Sequence, residues 1–279
     1  KKGPCISPSL TSLSQLHIPS KEEIQDKLSY VFSTITFLKQ DLKVPLIGFC
    51  GAPFTLLCYM LQGSGGKNFS QIQCWMKERP QEFERAMDCV LEACIYFAQE
   101  QVSAGVDAFQ VFDSWANLLV PELFSRYAVG YWKKIQEALG SCPSLFYSRA
   151  NSDYPELISQ INPTCISFDE RRPLSELRAR VPKNIAVQGN FSQEILLSGT
   201  PSDVKQAAYA LVSSMEEEVG VIWNLGHGVL PKTPLENVEA LLEVLRSEPA
   251  AHHAAKGGME QRIASGFPPD KKPNRVPLS

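Results

Sequence analysis

The sequence predicts an α/β fold, a TIM-like (β/α)8 barrel of which six strand-and-helix units are visible in the residue pattern. Two observations predict it. Short buried strands alternate with amphipathic helices, which indicates parallel pairing, because a parallel crossover needs a return of helix length. A polar or glycine cluster also follows every strand, which is typical of the active face of a barrel. An open doubly wound sheet fits the same alternation, but it gathers such groups at one switch point.

The strands are predicted from short runs of apolar, β-branched and aromatic residues. These runs are 44–49, 107–112, 144–147, 164–168, 184–187 and 221–224. The clusters that follow them are Cys50-Gly51, Asp113-Ser114, Ser148-Arg149, Asp169-Glu170, Gln188 to Asn190 and Asn224 to Gly228. Because the carboxyl ends of parallel strands share one edge of the sheet, we expect these groups to lie on the same side of the barrel.

Proline, glycine and apolar periodicity predict the helices between the strands. Residues 80–105 and 121–139 each begin at a proline and end at or just before a glycine, with one apolar stripe along the helix. A third helix follows Thr200-Pro201 and runs to Gly220. Thr233 and Glu236 have the spacing of a capping box, which predicts the start of a further helix.

Composition indicates one soluble globular domain without a bias toward polyanionic partners. The chain has 279 residues, 27 Lys plus Arg against 30 Asp plus Glu, and 44% hydrophobic residues. Its net charge of −3 provides no general cationic field for nucleic acid or an anionic membrane, and no apolar run is long enough to span a bilayer. The eight cysteines are scattered without CxxC pairs, which favours reduced thiols and a cytoplasmic protein.

Two segments are predicted to lie outside the regular fold. The Gly63-Ser-Gly-Gly66 segment follows an apolar helix rather than a strand, so a flexible loop is favoured over a phosphate-binding loop. Residues 248–279 are rich in proline and poor in large apolar residues, which predicts a disordered tail behind a domain of residues 1–247. The His252-His253 pair in that tail has no Cys or carboxylate at ligand spacing, so no metal site is expected there.

Four residues at or near strand ends are candidates for contact with a ligand. His227 lies between two glycines, which favours close approach to a ligand, although a structural turn histidine stays open. Ser114 lacks the surroundings of a nucleophile elbow, so hydrogen bonding is favoured over covalent catalysis. Asn190 is expected to point at the mouth of the barrel. Tyr59 lies in an apolar helix, where a core aromatic is the simpler interpretation.

Five motifs in order resemble the uroporphyrinogen decarboxylase family. They are PLIGFCGAPFT at 45–55, Tyr59-Met60, Phe-Asp-Ser114, Val187-Gln-Gly-Asn190 and Asn224-Leu-Gly-His-Gly228. The resemblance covers about residues 1–247. It implies a distorted (β/α)8 barrel, usually a homodimer, which removes carbon dioxide from the acetate side chains of uroporphyrinogen III to give coproporphyrinogen III in haem biosynthesis. It implies neither a metal nor an organic cofactor.

The resemblance also assigns roles to three of the candidates. The substrate-binding residues of the family match Tyr59, Ser114 and His227, which reverses the interpretation of Tyr59 as a core aromatic. The implied chemistry needs no cofactor, because a protonated pyrrole ring can accept the electron pair that decarboxylation releases. Hydroxyl and imidazole groups can then hydrogen-bond the acetate or propionate oxygens.

The sequence also departs from the family pattern. The arginine-rich Arg-Gln-Ala-Gly-Arg loop and the aspartate that faces the pyrrole N–H groups are not found, so the catalytic residues are unassigned. The chain therefore resembles the enzyme without its N-terminal substrate-binding segment, a barrel incomplete at the N-terminus, and we expect such a chain to be inactive by itself. Smaller departures are the Phe-Tyr-Ser-Arg149 strand end, Glu170 and residues 191–193.

Two alternative functions stay open. Corrinoid- or folate-linked methyltransferases share this barrel, but they hold zinc with His and Cys at strand ends, and His227 has no Cys within ten residues. A non-catalytic barrel is the other alternative.

Overall fold

The structure is a computed structural model, which describes residues 6–63 and 69–247. Residues 64–66 of the predicted flexible loop, and the whole of the predicted tail 248–279, lie outside these residues. The division into a domain of residues 1–247 and a tail therefore stays a prediction. Among the helices of the described ranges, none is both long and apolar enough to cross a membrane.

Six parallel strands form one sheet in which each strand pairs with the next along the chain. The strands are β1 (Ile47–Gly51), β2 (Ala108–Asp113), β3 (Ser144–Ser148), β4 (Cys165–Ser167), β5 (Ala186–Phe191) and β6 (Val221–Leu225). An order that never reverses has no switch point, so the doubly wound alternative is wrong. The barrel-type fold is confirmed, with the sheet open between β1 and β6 in the part of the chain that is described.

All six strands overlap the predicted runs; the largest differences are at the end of β5, which continues to Phe191 rather than residue 187, and at the start of the first strand. Strand β1 begins at Ile47 rather than at residue 44, and Val44 is 62% exposed. Pro45 has no N–H to donate to a strand ladder. The N–H of Leu46 instead donates to the carboxylate of Asp107 at 2.7 Å, which holds the chain at the entrance to the sheet.

Twelve α-helices occur within the described ranges. They are α1 (Lys21–Lys27), α2 (Ser29–Asp41), α3 (Pro53–Gln62), α4 (Ser70–Glu78), α5 (Pro80–Ala104), α6 (Pro121–Phe124), α7 (Gly130–Leu139), α8 (Pro155–Ser159), α9 (Leu174–Ala179), α10 (Gln193–Ser198), α11 (Pro201–Ser213) and α12 (Leu235–Leu245). Helix α5 confirms the prediction for residues 80–105, and Gly105 ends it in the left-handed region at φ 109°. Helices α6 and α7 occupy the predicted 121–139 segment, joined by a π-helical turn at Ser125–Val129.

Two details of the helix prediction are wrong. Helix α11 ends at Ser213, short of Gly220, and the chain continues through turns. The capping box at Thr233 is absent: α12 begins at Leu235 with Pro234 at the N-cap, and the Thr233 hydroxyl donates to the carbonyl of Leu230 at 2.8 Å. Since the helix begins later than predicted, Glu236 lies too near its start to complete the box.

The sheet has two chemically different faces. One packs against the helices in the main core, through residues such as Phe109, Val111, Phe146, Ile166 and Val187. The other, which we call the inner face, carries a small cluster without any helical residue, formed by Ala108, Leu145, Cys165 and Ala186. Because strand residues alternate between faces and paired residues share one, Phe49, Phe112 and Tyr147 also lie on the inner face.

The inner face is open to solvent at its first strand. Phe49 is 61% exposed, whereas Tyr147 two strands further on is buried. At the other edge Asn224 of β6 is also exposed. Phe49 lies on the edge strand, beside the opening of the sheet between β1 and β6, and its exposed ring leaves this face available to a large apolar ligand.

A buried arginine holds the segment that leads into β5. Arg178 of α9 is 1% exposed, and its guanidinium donates to the carbonyls of Val181 and Pro182 at 2.6 Å and of Ile185 at 2.7 Å. Three carbonyls therefore converge on one side chain, and that of Pro182 also accepts from the N–H of Ile185 at 3.0 Å.

We expect Arg178→Leu to lower the free energy of unfolding by about 3 kcal/mol, because the change leaves buried carbonyls without their guanidinium donor. Urea denaturation followed by tryptophan fluorescence measures this loss. Arg180→Leu is the matched control: Arg180 pairs with Glu156 at the surface, and its loss should cost less than about 1 kcal/mol. Equal losses for the two variants would contradict the role given to Arg178.

Candidate active site

The carboxyl ends of the strands bring together groups that are far apart in sequence. Trp115 follows β2, Arg149 follows β3, and His227 follows β6. The Nη2 atom of Arg149 lies 3.0 Å from Nε2 of His227, although 78 residues separate them. Polar side chains from different strand ends therefore meet at this edge, as the sequence predicted.

Gly226 positions His227 by allowing two loops to pack closely. A Cβ atom at Gly226 would lie 2.5 Å from the backbone nitrogen of Glu170, so no other residue fits without a shift. The carbonyl of Gly226 accepts a hydrogen bond from the Tyr147 hydroxyl at 3.0 Å, and the Tyr147 and His227 rings meet edge to face at 6.5 Å. The first of the two glycines beside His227 thus serves contact between loops. At Gly228 an added Cβ would meet nothing within 4 Å.

Trp115 joins Tyr59 to the Arg149–His227 pair. The guanidinium carbon of Arg149 lies 5.3 Å from the centre of the Trp115 ring, in cation–π geometry. The ring of Tyr59, from α3, meets the same indole edge to face at 6.1 Å. The structure therefore links Tyr59 and His227, two of the three residues predicted to bind substrate, through two residues that were not predicted.

Ser114, the third of these residues, lies in the turn between Asp113 and Trp115. The hydroxyl of Thr55 donates to Asp113 Oδ1 at 2.6 Å and accepts from the backbone N–H of Trp115 at 3.1 Å. The backbone on both sides of Ser114 is therefore held in place from α3. The Ser114 side chain is half-buried, and its role in binding stays a prediction, as do those of Tyr59 and His227.

Asp113 faces the helices rather than the inner face. It is fully buried, it accepts hydrogen bonds from Thr55 and from Trp132 Nε1 at 3.2 Å, and it alternates with Phe109 and Val111 along β2. Burial raises the pKa of its carboxyl group to about 7, against the opposing effect of the two hydrogen bonds. Asp113 is thus placed to hold the Ser114 turn, and no described contact brings it to the inner face.

Asn190 does not point at the mouth as the sequence analysis expected. Its amide donates to the carbonyls of Asp169 and Arg172 at 2.8 and 2.7 Å, and the side chain is buried. The carboxylate of Asp169 is itself bonded, to Ser152 Oγ at 2.5 Å and Arg171 Nε at 2.9 Å. These groups build the loop after β4, and their hydrogen-bonding capacity is largely used within it.

Arg149 differs from the neighbouring arginine in having no acidic partner. Arg171 pairs with Asp153 at 2.8 Å and with Asp169 at 2.9 Å. Within the residues that the structure describes, Arg149 forms no ion pair, and its guanidinium contacts only the rings of Trp115 and His227. A half-buried cation without a counter-ion suits an anionic ligand, and a carboxylate matches the planar guanidinium.

The same part of the chain holds no candidate metal centre. No group of three or more His, Cys, Asp or Glu side chains within 6–63 and 69–247 is arranged to hold a metal ion. His17 pairs with Glu23 at 3.0 Å on the surface, and His252-His253 lie outside the described residues. The described partners of His227 are the guanidinium of Arg149 and the ring of Tyr147, neither of which is a metal ligand.

Arg149 and Trp115 are the functional candidates that sequence reasoning missed. Both were visible in the sequence, Arg149 within a strand-end cluster and Trp115 directly after Ser114. The inner-face row of Phe49, Phe112 and Tyr147, with ring centres 5.8 Å apart at each step, was also missed. Strand register was the missing signal, because it decides which residues share a face.

The fold and this edge define a (β/α)8-type protein with a cationic site at the carboxyl ends of its strands. A family model described as uroporphyrinogen decarboxylase (URO-D) matches residues 1–248, and the chain belongs to this family. Among its relatives, the uroporphyrinogen decarboxylase of Protochlamydia amoebophila is 34% identical over 247 residues, which are 88% of this chain and 68% of the relative. That of Coxiella burnetii is 31% identical over 253 residues, 88% of this chain and 70% of the relative.

Solved structures agree on the fold. A methyltransferase from Methanosarcina mazei superposes with a TM-score of 0.72 at 20% identity, over 90% of this chain and 71% of that one. A B12-independent methionine synthase from Shewanella gives a TM-score of 0.51 at 16% identity, over 79% of this chain and 67% of that one. At such identities the likeness concerns architecture alone.

The raised pKa of Asp113 predicts a pH-dependent stability. Between the ordinary value of 3.8 and about 7 the folded protein keeps the Asp113 proton while the unfolded chain loses it. The stabilisation from the Asp113 proton is therefore complete below pH 3.8. It falls by on the order of 1 kcal/mol per pH unit above that and is lost as the pH rises through about 7. We expect Asp113→Asn to remove this slope.

Urea denaturation across that pH range, for both proteins, measures the effect. The other titrating groups are shared, so the difference between the two stability profiles reports on Asp113. Parallel profiles would show that the carboxyl group titrates normally in the folded protein.

Proposed function

We propose that the protein containing this chain decarboxylates the four acetate side chains of uroporphyrinogen III to give coproporphyrinogen III, in porphyrin and haem biosynthesis, without a cofactor. Membership of the URO-D family supports the reaction class. The observation that carries the proposal is the composition of the inner face. A row of aromatic rings ends at His227 and at Arg149, which has no acidic partner among the described residues.

This face has the two properties that a porphyrinogen demands. The macrocycle is large and apolar, and it can pack on Phe49, Phe112 and Tyr147, of which Phe49 is open to solvent. Its rim carries acetate and propionate groups, which need cationic and hydrogen-bonding partners. Arg149, His227 and the Tyr59 hydroxyl lie at one end of the row and can supply them.

The reaction places limited demands on the protein. Protonation of the pyrrole ring creates an electron sink; the bond between the acetate methylene and its carboxylate then breaks, and carbon dioxide leaves. The electron pair passes into the ring and leaves an exocyclic methylene. A second proton converts this methylene to a methyl group, and the ring then releases the first proton, so that each decarboxylation consumes one proton overall. Because the substrate accepts its own electrons, the residues must bind, orient and move protons. Tyr59, Ser114 and His227 are proposed to hold the carboxylates.

We further propose a homodimer in the cytoplasm that binds neither nucleic acid nor membrane. The balanced composition, with 27 basic and 30 acidic residues, supports the absence of nucleic-acid and membrane binding, whereas the homodimer is carried over from the family resemblance. All seven cysteines of the described ranges are free, and four of them, Cys50, Cys58, Cys94 and Cys165, are buried as expected for reduced core residues. Burial raises the pKa of Cys58 and of Cys165, which keeps these thiols protonated and unreactive.

The methyltransferase alternative has weaker support. The likeness to the Methanosarcina methyltransferase concerns the fold, which is shared widely among enzymes with different reactions. A zinc-dependent methyl transfer needs clustered His and Cys ligands, whereas His227 faces Arg149 and no such cluster occurs in the described part of the chain. The guanidinium of Arg149 lies beside His227, the one strand-end histidine of the described ranges, and this positive charge opposes metal binding there. A non-catalytic barrel would retain the fold without the reaction.

The proposal can be tested by supplying the segment that the family is expected to provide before these residues. We expect a chimera that joins the N-terminal segment of a complete family member, including its Arg-Gln-Ala-Gly-Arg loop, to this chain to decarboxylate uroporphyrinogen III. The chain alone should give about 1% of that rate or less, because it lacks the arginine pair and the aspartate. Chromatography of the oxidised porphyrins measures both.

A control keeps a negative result informative. The same chimera with Arg149→Met should fold but turn over slowly, which separates chemistry from assembly. A folded chimera, verified by circular dichroism and its thermal midpoint, that forms no coproporphyrinogen would overturn the proposal. Methyl transfer by that chimera in the presence of zinc would favour the alternative.

Tyr59→Phe tests the role carried over from the family. Removal of one hydroxyl that meets a substrate carboxylate should lower kcat/KM of the chimera. The expected decrease corresponds to about 1–3 kcal/mol of lost transition-state binding. Tyr96→Phe is the matched control, since the Tyr96 hydroxyl bonds to Glu92 on the exposed side of α5 and should leave kcat/KM unchanged. Unchanged kinetics for Tyr59→Phe would return Tyr59 to the role of a packing residue.

A further inference from the structure

The contact between Arg149 and His227 fixes which ring nitrogen carries the proton. A guanidinium has only donors, so Nη2 of Arg149 must donate across the 3.0 Å contact and Nε2 of His227 must accept. An accepting Nε2 is unprotonated, and the neutral ring then carries its proton on Nδ1. The geometry thus assigns a tautomer that no sequence motif specifies.

The proton on Nδ1 has no acceptor in the described part of the protein. The Nδ1 atom is buried and lacks a hydrogen-bond partner. Glu170 packs against the neighbouring Gly226, and its Oε2 atom is likewise buried without a described partner, but it forms no hydrogen bond with the imidazole. A buried N–H without an acceptor costs free energy, and such groups are usually bonded in native structures. The orphaned donor is therefore ready to receive an acceptor from a ligand.

Arg149 supplies the charge that selects the ligand. Its guanidinium rests on the face of Trp115, which restricts its orientation, and it forms no ion pair with any described residue. One N–H is used on His227, so other N–H groups of the guanidinium remain free. A cation and a neutral N–H donor side by side match the two oxygens of one carboxylate.

We propose that Arg149 positions His227 as its Nδ1–H tautomer and that the two side chains together bind one carboxylate of the ligand. The proposal rests on the proposed function only for the identity of that ligand, a polycarboxylated tetrapyrrole. Arg149 contributes twice: through the imidazole, which it orients, and through its own charge. Without Arg149, His227 is free to place its proton on Nε2. The carboxylate then loses the guanidinium as a partner, and the imidazole no longer directs an N–H toward it.

The first measurement is the tautomer of His227, which does not depend on catalysis. The 279-residue chain labelled with 15N-histidine gives two-bond 1H–15N spectra in which the two tautomers have distinct patterns, and His227→Gln assigns the signal. We expect the Nδ1–H pattern in the wild-type chain and its loss in Arg149→Met. A wild-type His227 protonated on Nε2 would sink the proposal.

The second measurement is binding of uroporphyrin I, a stable polycarboxylated porphyrin, followed by quenching of its fluorescence. We expect Arg149→Met to raise the dissociation constant about tenfold, and Arg149→Lys to recover part of the loss because it restores a charged donor. Arg126→Met is the matched control: Arg126 also lies over an aromatic ring, Tyr127, and bonds a side chain, Glu84, but on the helical side.

These outcomes separate this proposal from the proposed function. Uroporphyrin binding that is unchanged in Arg149→Met contradicts the carboxylate site even if the chimera decarboxylates uroporphyrinogen. An Arg149-dependent tautomer with Arg149-dependent binding supports the site even if the chimera is inactive, in which case the decarboxylase proposal alone fails. Equal weakening by Arg149→Met and Arg126→Met would show a general loss of positive charge and overturn the specific role.

Discussion

Parallel pairing of each strand with the next is the constraint on which the rest of this structure depends. It places the carboxyl ends of all six strands at one edge, so residues far apart in sequence meet there. Arg149 reaches His227 across 78 residues, and Thr55 reaches Asp113 across 58. Neither contact follows from local propensity. Both depend on helices that return the chain to the same end of the sheet before each new strand.

The helical face of the sheet contributes mainly to stability, whereas the inner face carries the groups proposed to bind the ligand. The helical face takes the large apolar residues together with the buried Asp113, whose hydrogen bonds to Thr55 and Trp132 tie the sheet to α3 and α7. The inner face keeps small residues at its base and aromatic rings near its open end. The same carboxylate that is costly to ionise thus also holds the turn of Ser114, so the core and the site share a component.

Sequence reasoning was reliable where a signal is local. Apolar runs and flanking prolines located all six strands and the long helix α5. It failed where a side chain has a choice of partners: Thr233 bonds a preceding carbonyl instead of capping, and Asn190 bonds the loop after β4 instead of facing the mouth. It overlooked Arg149 because an arginine in a loop is ordinarily a solvated charge, and only strand register brings it to His227.

The groups at the strand ends are arranged at a cost to the protein without ligand. An arginine without a counter-ion, a buried imidazole N–H without an acceptor and an exposed Phe49 each oppose stability when the inner face is empty. A ligand that neutralises the arginine, accepts a hydrogen bond from the imidazole N–H and covers Phe49 recovers all three free-energy costs. Its binding needs little reordering of side chains, because Trp115 already restricts the guanidinium. A largely apolar macrocycle with carboxylates on its rim has this combination of properties. That match connects family membership to the geometry of this chain: the reaction class comes from the family, whereas the way one carboxylate is recognised follows from Arg149 and His227.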